Sequence, residues 1–171
     1  MFRPRVSHVA SVVRNDKETA LELYYYADTS VLGGGALVVA EFNEPVNVQG
    51  YDPSLGTKTY KTITGAVGYC DPVNGSIYHI VIHQAIHIPG LDHHFLSPMQ
   101  CRVADVEIND CPRFLTANPT EESNCIIAHD EYGARFVLPL VLQGVTSDLN
   151  VHRISEAEWT REAAPRITLT N

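Results

Sequence analysis

A chain of 171 residues with 44% hydrophobic and 19% charged residues has the make-up of one globular domain with a sizeable core. The formal charge is −8, from 20 acidic against 12 basic residues, and no Lys/Arg cluster stands anywhere, which argues against a nucleic-acid or anionic-lipid surface. Apolar runs are short, and Pro139 breaks the one from Phe136 to Leu142, so no membrane span is expected.

No apolar stretch follows Met1-Phe2-Arg3-Pro4-Arg5, so no signal peptide is expected, and the chain reads as cytosolic or as cut from a longer cytosolic polyprotein. Cys70, Cys101, Cys111 and Cys125 form no C-x-x-C pair and read as free, mostly buried thiols. Residues 1–19 form a leading segment, with a short edge strand over Ser7–Val13 and a turn at Asn15-Asp16-Lys17. Thr19 to Ala27 is apolar and aromatic and predicts a strand, although Glu18 to Leu23 also suits a helical turn.

That strand runs into Asp28-Thr29-Ser30, then Val31-Leu32 and Gly33-Gly34-Gly35. Asp-Thr-Ser at a strand end puts a carboxylate at a turn, where hydroxyls and backbone N–H groups can hold it. The same residues also make an ordinary turn. The glycines lack the Lys-Ser/Thr and the helix of a phosphate loop, and they read as a close backbone approach or a bulge. Ala36–Phe42 predicts a buried strand and Val46–Val48 another. The turn formers from Gln49 to Gly56 lie between two alternating stretches, which predicts a hairpin with a mobile tip. Lys61–Tyr69 continues as a strand, and Asn74-Gly75 centres a second hairpin turn.

Ile77 to Ile88 alternates, with Tyr78, Ile80, Ile82, Ile86 and Ile88 on one face. His79, His83 and His87 share the other, but each step of four residues spans about 13 Å, too far for one ion. They read as partly solvated. Pro89 to Asp92 turns the chain. His93–Cys101 predicts a short helix with Ser97 as cap and Pro98 at its first position. Asp92-His93-His94 is dense in ligand types, but adjacent histidines on a turn rarely hold one ion, so no metal and no cofactor is expected. Val103–Ile108 predicts a strand, Thr116–Asp130 a long connection, and Arg135–Val145 a strand bent at Pro139. Ser155 and Glu158 frame a capping box for a helix to Ala163, and Arg166–Thr170 is a last strand.

The order of these features resembles the aspartic protease of copia-type retrotransposon polyproteins. Three blocks carry the likeness: Ala27-Asp28-Thr29-Ser30; the run from Ile86 through Pro89-Gly90-Leu91 to Ser97 and Gln100; and Leu138 to Ser147 with Ile167 to Thr170. The resemblance implies a mainly β fold: a retropepsin-like closed β-barrel with a flap hairpin and one short helix, plus a C-terminal strand/helix extension. It divides the chain into an N-terminal segment (1–19), a protease domain (20–114) and an extension (115–171). It implies a homodimeric aspartic endopeptidase acting on a peptide or polyprotein, with Asp28, Thr29 and Ser30 as catalytic residues. Gly50, Tyr51, Leu55 and Gly56 would form the flap, and Ile86 and Ile88 would contact the peptide. No nucleic acid or membrane partner is implied, and the setting is intracellular and cytoplasmic, virus-like particles included. Ser30 stands where most aspartic proteases have Gly, and Tyr24-Tyr25-Tyr26 where this branch has Asp-Ser-His. These departures leave two alternatives: a catalytically inactive module that dimerises and binds peptide, and an unrelated β-rich binding domain.

Overall fold

The computed structural model of the chain describes residues 18–49, 54, 56–161 and 164–171. The expected strand at Ser7–Val13, the turn at Asn15–Lys17 and most of the first hairpin tip, including Gly50, Tyr51 and Leu55, lie outside the described residues.

The fold is mainly β. Its strands are β1 (Glu18–Leu23), β2 (Val31–Gly33), β3 (Leu37–Gln49), β4 (Thr57–Cys70), β5 (Ile77–Ile88) and β6 (His94–Leu96). After helix α1 (Pro98–Val103) come β7 (Glu107–Asn109), β8 (Cys125–His129), β9 (Arg135–Pro139), β10 (Val141–Gln143) and β11 (Thr146–His152). Helix α2 (Glu156–Thr160) and β12 (Arg166–Thr168) complete it. Among the described residues, nine strands form one sheet in the order β10-β11-β1-β6-β2-β5-β4-β3, with β12 added to β5. A bridge between His152 and Gly68 also joins β11 to β4. The remaining strands form a three-stranded sheet, β7-β8-β9. The last three strands are thus woven into the main sheet: β10 and β11 extend it beside β1, and β12 runs parallel to β5. One continuous core, including Leu32, Ile63, Ile80, Leu96, Leu149 and Ile167, lies between these elements.

Both expected hairpins form. Gln49 pairs with Thr57 across the first, and Asp71 donates to Ser76 across the second, where Gly75 takes φ +73°. Helix α1 starts where Pro98 fixes the backbone, with the Ser97 hydroxyl accepting from the Gln100 N–H. His93–Leu96, expected as part of that helix, instead contains β6, which pairs with β1 and β2, while Pro98 keeps only Ser97 before it extended. The capping box of Ser155 and Glu158 is present in α2.

Other expectations are corrected. The tyrosine triplet is not strand. Pairing ends at Leu23, and Tyr24–Tyr26 form a turn closed by Ala27 N–H donating to Tyr24 C=O, leaving Tyr26 92% exposed. β3 is one continuous strand and is largely exposed, at the edge of the sheet as the described residues form it. His79 is buried rather than solvated: Trp159 of α2 stacks on it at 5.7 Å, and its N–H donates to Pro165 C=O. Val103 ends the helix, and only Glu107–Asn109 of the following stretch is strand. The expected connection at Thr116–Asp130 holds β8, the buried middle strand of the smaller sheet. Pro139 divides the predicted Arg135–Val145 strand into β9 and β10, and β11 beyond it was not predicted. Two of the four cysteines, Cys101 and Cys125, are buried, and all four are free.

Candidate active site

Asp28 lies on the loop between β1 and β2, and its neighbours are fixed from both sides. The chain leaves β1 with Tyr24 N–H bonded to Leu96 C=O at 3.0 Å, then turns and re-enters the sheet at Val31. Ala27 C=O accepts from the Ser97 hydroxyl at 2.8 Å. Ser30 is 0% exposed, and its hydroxyl accepts from the Ser97 N–H at 3.0 Å. Its own N–H donates to Gln100 Oε1 at 3.0 Å, and its C=O accepts from Ile86 N–H at 2.9 Å. The N-terminal turn of α1 therefore clamps the loop on both sides of Asp28. The Asp28 side chain is exposed and has no hydrogen-bond or ion-pair partner among the described residues. Thr29 makes no hydrogen bond among the described residues and is half-buried.

The hydroxyl of Ser30 thus does structural work that Gly cannot do. Ser30→Ala leaves the buried Ser97 N–H without an acceptor and lowers unfolding free energy by about 1–3 kcal/mol, read by urea denaturation.

β2 is held on both edges, parallel to β5 through Val31–Gly33 against Ile86–Ile88, and antiparallel to β6 at Val31 and Phe95. Ile86 is buried and Ile88 half-buried in this pairing, so both scaffold β2. Neither lines the nearest cavity, of about 570 Å³, which Thr29 shares with Phe42, Asn43, Glu44, Val46, Thr62 and Gln84. Gly56, at the hairpin tip, takes φ +71° in open space.

His94 was not singled out as a site residue, yet it stands directly under this strand. It is 0% exposed, and its Nδ1 accepts from Gly33 N–H at 3.0 Å, which fixes the neutral ring with its proton on Nε2. Burial first, then the charges of His93 and His87, push its pKa down to about 4. The sequence shows only the second of two adjacent histidines in a stretch that predicts a helix; the Gly33 partner is 61 residues away. Because the unfolded chain binds this proton near 6.5 and the folded one near 4, the stabilisation is complete above pH 6.5 and fades as pH falls to 4. The loss is on the order of 3 kcal/mol. His79 and His87, lowered mainly by burial, act in the same direction. His94→Asn keeps an acceptor for Gly33 without a titrating ring, so its unfolding free energy, measured by urea titration across this range, depends less on pH.

The other reactive groups point elsewhere. Burial pushes the Cys101 thiol up to about 12, so it stays protonated in the core and is no nucleophile. His93 Nδ1 lies 2.7 Å from Asp92 Oδ1 at the surface, while His94 turns inward. His83 Nδ1 bonds the Thr64 hydroxyl at 2.9 Å. Among the described residues no group of three or more His, Cys, Asp or Glu could hold a metal ion, and no helix is long and apolar enough to cross a membrane. Comparison with protein-family models, curated proteins and solved structures returns no match.

Proposed function

We propose that the chain is a retropepsin-like aspartic endopeptidase that acts as a homodimer and cuts a polyprotein, each copy supplying one Asp28. The observation that carries this reading is the contrast at the loop. The residues flanking Asp28 are tied to α1, β5 and β6, while its carboxylate is exposed and bonds no other described residue. A single carboxylate cannot be the charged base for water and the protonated donor to the carbonyl oxygen at the same moment. Two carboxylates about 3 Å apart share one proton, because both cannot ionise at that distance. The charged one takes a proton from water, and the resulting hydroxide attacks the scissile carbonyl. The protonated one hydrogen-bonds the carbonyl oxygen, and the leaving amine is protonated as the C–N bond breaks.

Three features support the dimer and the substrate class. Tyr25 and Tyr26 expose aromatic surface on the same loop as Asp28, which suits contact with a second copy. The half-buried Thr29 hydroxyl offers that copy a hydrogen-bonding group. The cavity between the loop and the base of the β3–β4 hairpin joins apolar Phe42 and Val46 to polar Asn43 and Thr62, a lining suited to an extended peptide beneath a flap. The bridge of β11 to β4 returns the sheet order on itself and supports the closed-barrel reading.

The test combines sedimentation equilibrium over a wide concentration range with mass-spectrometric detection of cleavage in a mixture of unstructured peptides. The reading predicts a concentration-dependent dimer and a rate per subunit that rises as the dimer forms. A chain that is monomeric at every concentration and cleaves nothing overturns it.

A further inference from the structure

We infer that Thr170, near the opposite end of the sequence, is a positioning residue for the Asp28 loop. The inference rests on the protease reading and explains what the last strand contributes to it.

The argument starts from β5. One of its edges is paired with β4 along most of its length. The other edge is shared by two short parallel strands: β12 at His79–Val81 and β2 at Ile86–Ile88. Between them, at residues 82–85, no strand of the described residues covers that edge. Here β5 also bulges: its register with β4 slips between Ile63 and Gly65, and Gln84 adopts φ +51°, in the left-handed region. A bulge with a non-glycine residue at positive φ persists only where its surroundings hold it.

Two side chains close the gap. The Thr170 hydroxyl accepts from His83 N–H at 2.7 Å and donates to His83 C=O at 2.8 Å, replacing the backbone partners a longer β12 would supply. The Gln100 amide donates to His83 C=O at 3.3 Å and to Gln84 C=O at 3.4 Å, while its Oε1 accepts from Ser30 N–H. A continuous path therefore runs from Thr170 through His83 and Gln100 to Ser30, two residues from Asp28. Thr170 is fully buried, and Leu169, also buried, donates its N–H to Val81 C=O, so the hydroxyl is held in place. His83 is fixed on its other side by the Thr64 hydroxyl. Thr170 touches no reacting atom; it acts by fixing the bulge against which Gln100 holds the loop.

Both roles of the hydroxyl are needed, so Thr170→Ser retains the function and the isosteric Thr170→Val removes it. Two readouts test this. The first is amide hydrogen exchange at His83 and Ser30, which needs no activity. The second is kcat against KM for peptide cleavage, with sedimentation of the dimer as a control. Thr170→Val is expected to speed exchange at both amides and to lower kcat roughly ten- to a hundredfold with KM and dimerisation little changed. Thr170→Ser is expected to restore both. Should Thr170→Val fail to fold, Thr170→Ala removes the same hydroxyl and is likewise expected to speed exchange at both amides. Unchanged Ser30 exchange in whichever variant folds, or a kcat loss matched by loss of dimer, overturns the inference. A wild-type chain that cleaves nothing overturns the protease reading instead, and the exchange comparison still decides whether Thr170 positions the loop.

Discussion

Asp28→Asn is expected to lower kcat by about a thousandfold or more while leaving fold and dimer intact. The side chain is exposed and bonds no other described residue, so its amide counterpart disturbs no packing and strands no buried donor. Surface changes of this kind move stability by about 0.5 kcal/mol or less. The chemistry has no such tolerance. An amide neither takes a proton from water nor shares one with its twin, so general acid and general base are lost together. The dimer is expected to be at least as tight as wild type, since two neutral amides replace a carboxylate pair that repels when both are charged. Cleavage kinetics, urea unfolding and sedimentation on the same preparation separate these effects. A variant that loses its dimer along with its activity would place Asp28 in the interface and not in the chemistry.

Gly33→Ala is expected to destabilise the chain by about 3 kcal/mol or more. A Cβ at this position meets Leu91 O at 2.5 Å and His93 O at 2.6 Å, and both are backbone atoms that cannot swing aside. Gly34 faces the same obstacle, since its Cβ would meet Pro89 O. The two glycines let β2 lie directly on the Pro89–His93 turn, where Gly34 N–H bonds Leu91 C=O and Gly33 N–H bonds His94. Forcing that turn away breaks both bonds and loosens the strand that follows the Asp28 loop. Gly90→Ala is the matched control, because its Cβ meets nothing within 4 Å; its midpoint in urea should stay near wild type while that of Gly33→Ala drops sharply.

Local chemistry in the sequence accounts for the parts that were legible. Ser97-Pro98 marks the start of α1, Asn74-Gly75 the tight hairpin, and Ser155 with Glu158 the capping box, because each is settled by residues a few positions apart. The close backbone approach expected of the glycine run occurs at Gly33 and Gly34, whereas Gly35 meets only the His94 ring at ordinary distance. What stayed hidden depends on distant partners. Buried Ser147 and Asp148 interrupt the alternation of β11, so that its pairing with β1 leaves no period-two signal. The bulge at Gln84 shifts the register of β5, so a single alternation from Ile77 to Ile88 could not assign its faces. Gln100 falls in the predicted helix, and its partners Ser30 and His83 lie 70 and 17 residues away. Ser30 looked like a departure that weakens the site, and its hydroxyl instead anchors the loop to α1.

The pairing of two Asp28 carboxylates in one site is tested most directly by mixing. Wild-type and Asp28→Asn subunits are unfolded together, refolded in equal amounts, and assayed well above the dimer dissociation constant. If each site needs a carboxylate from both copies, only dimers of two wild-type subunits work, and activity is about a quarter of that of the same total amount of wild type. Activity of about half would mean that each copy works alone, and would contradict the account.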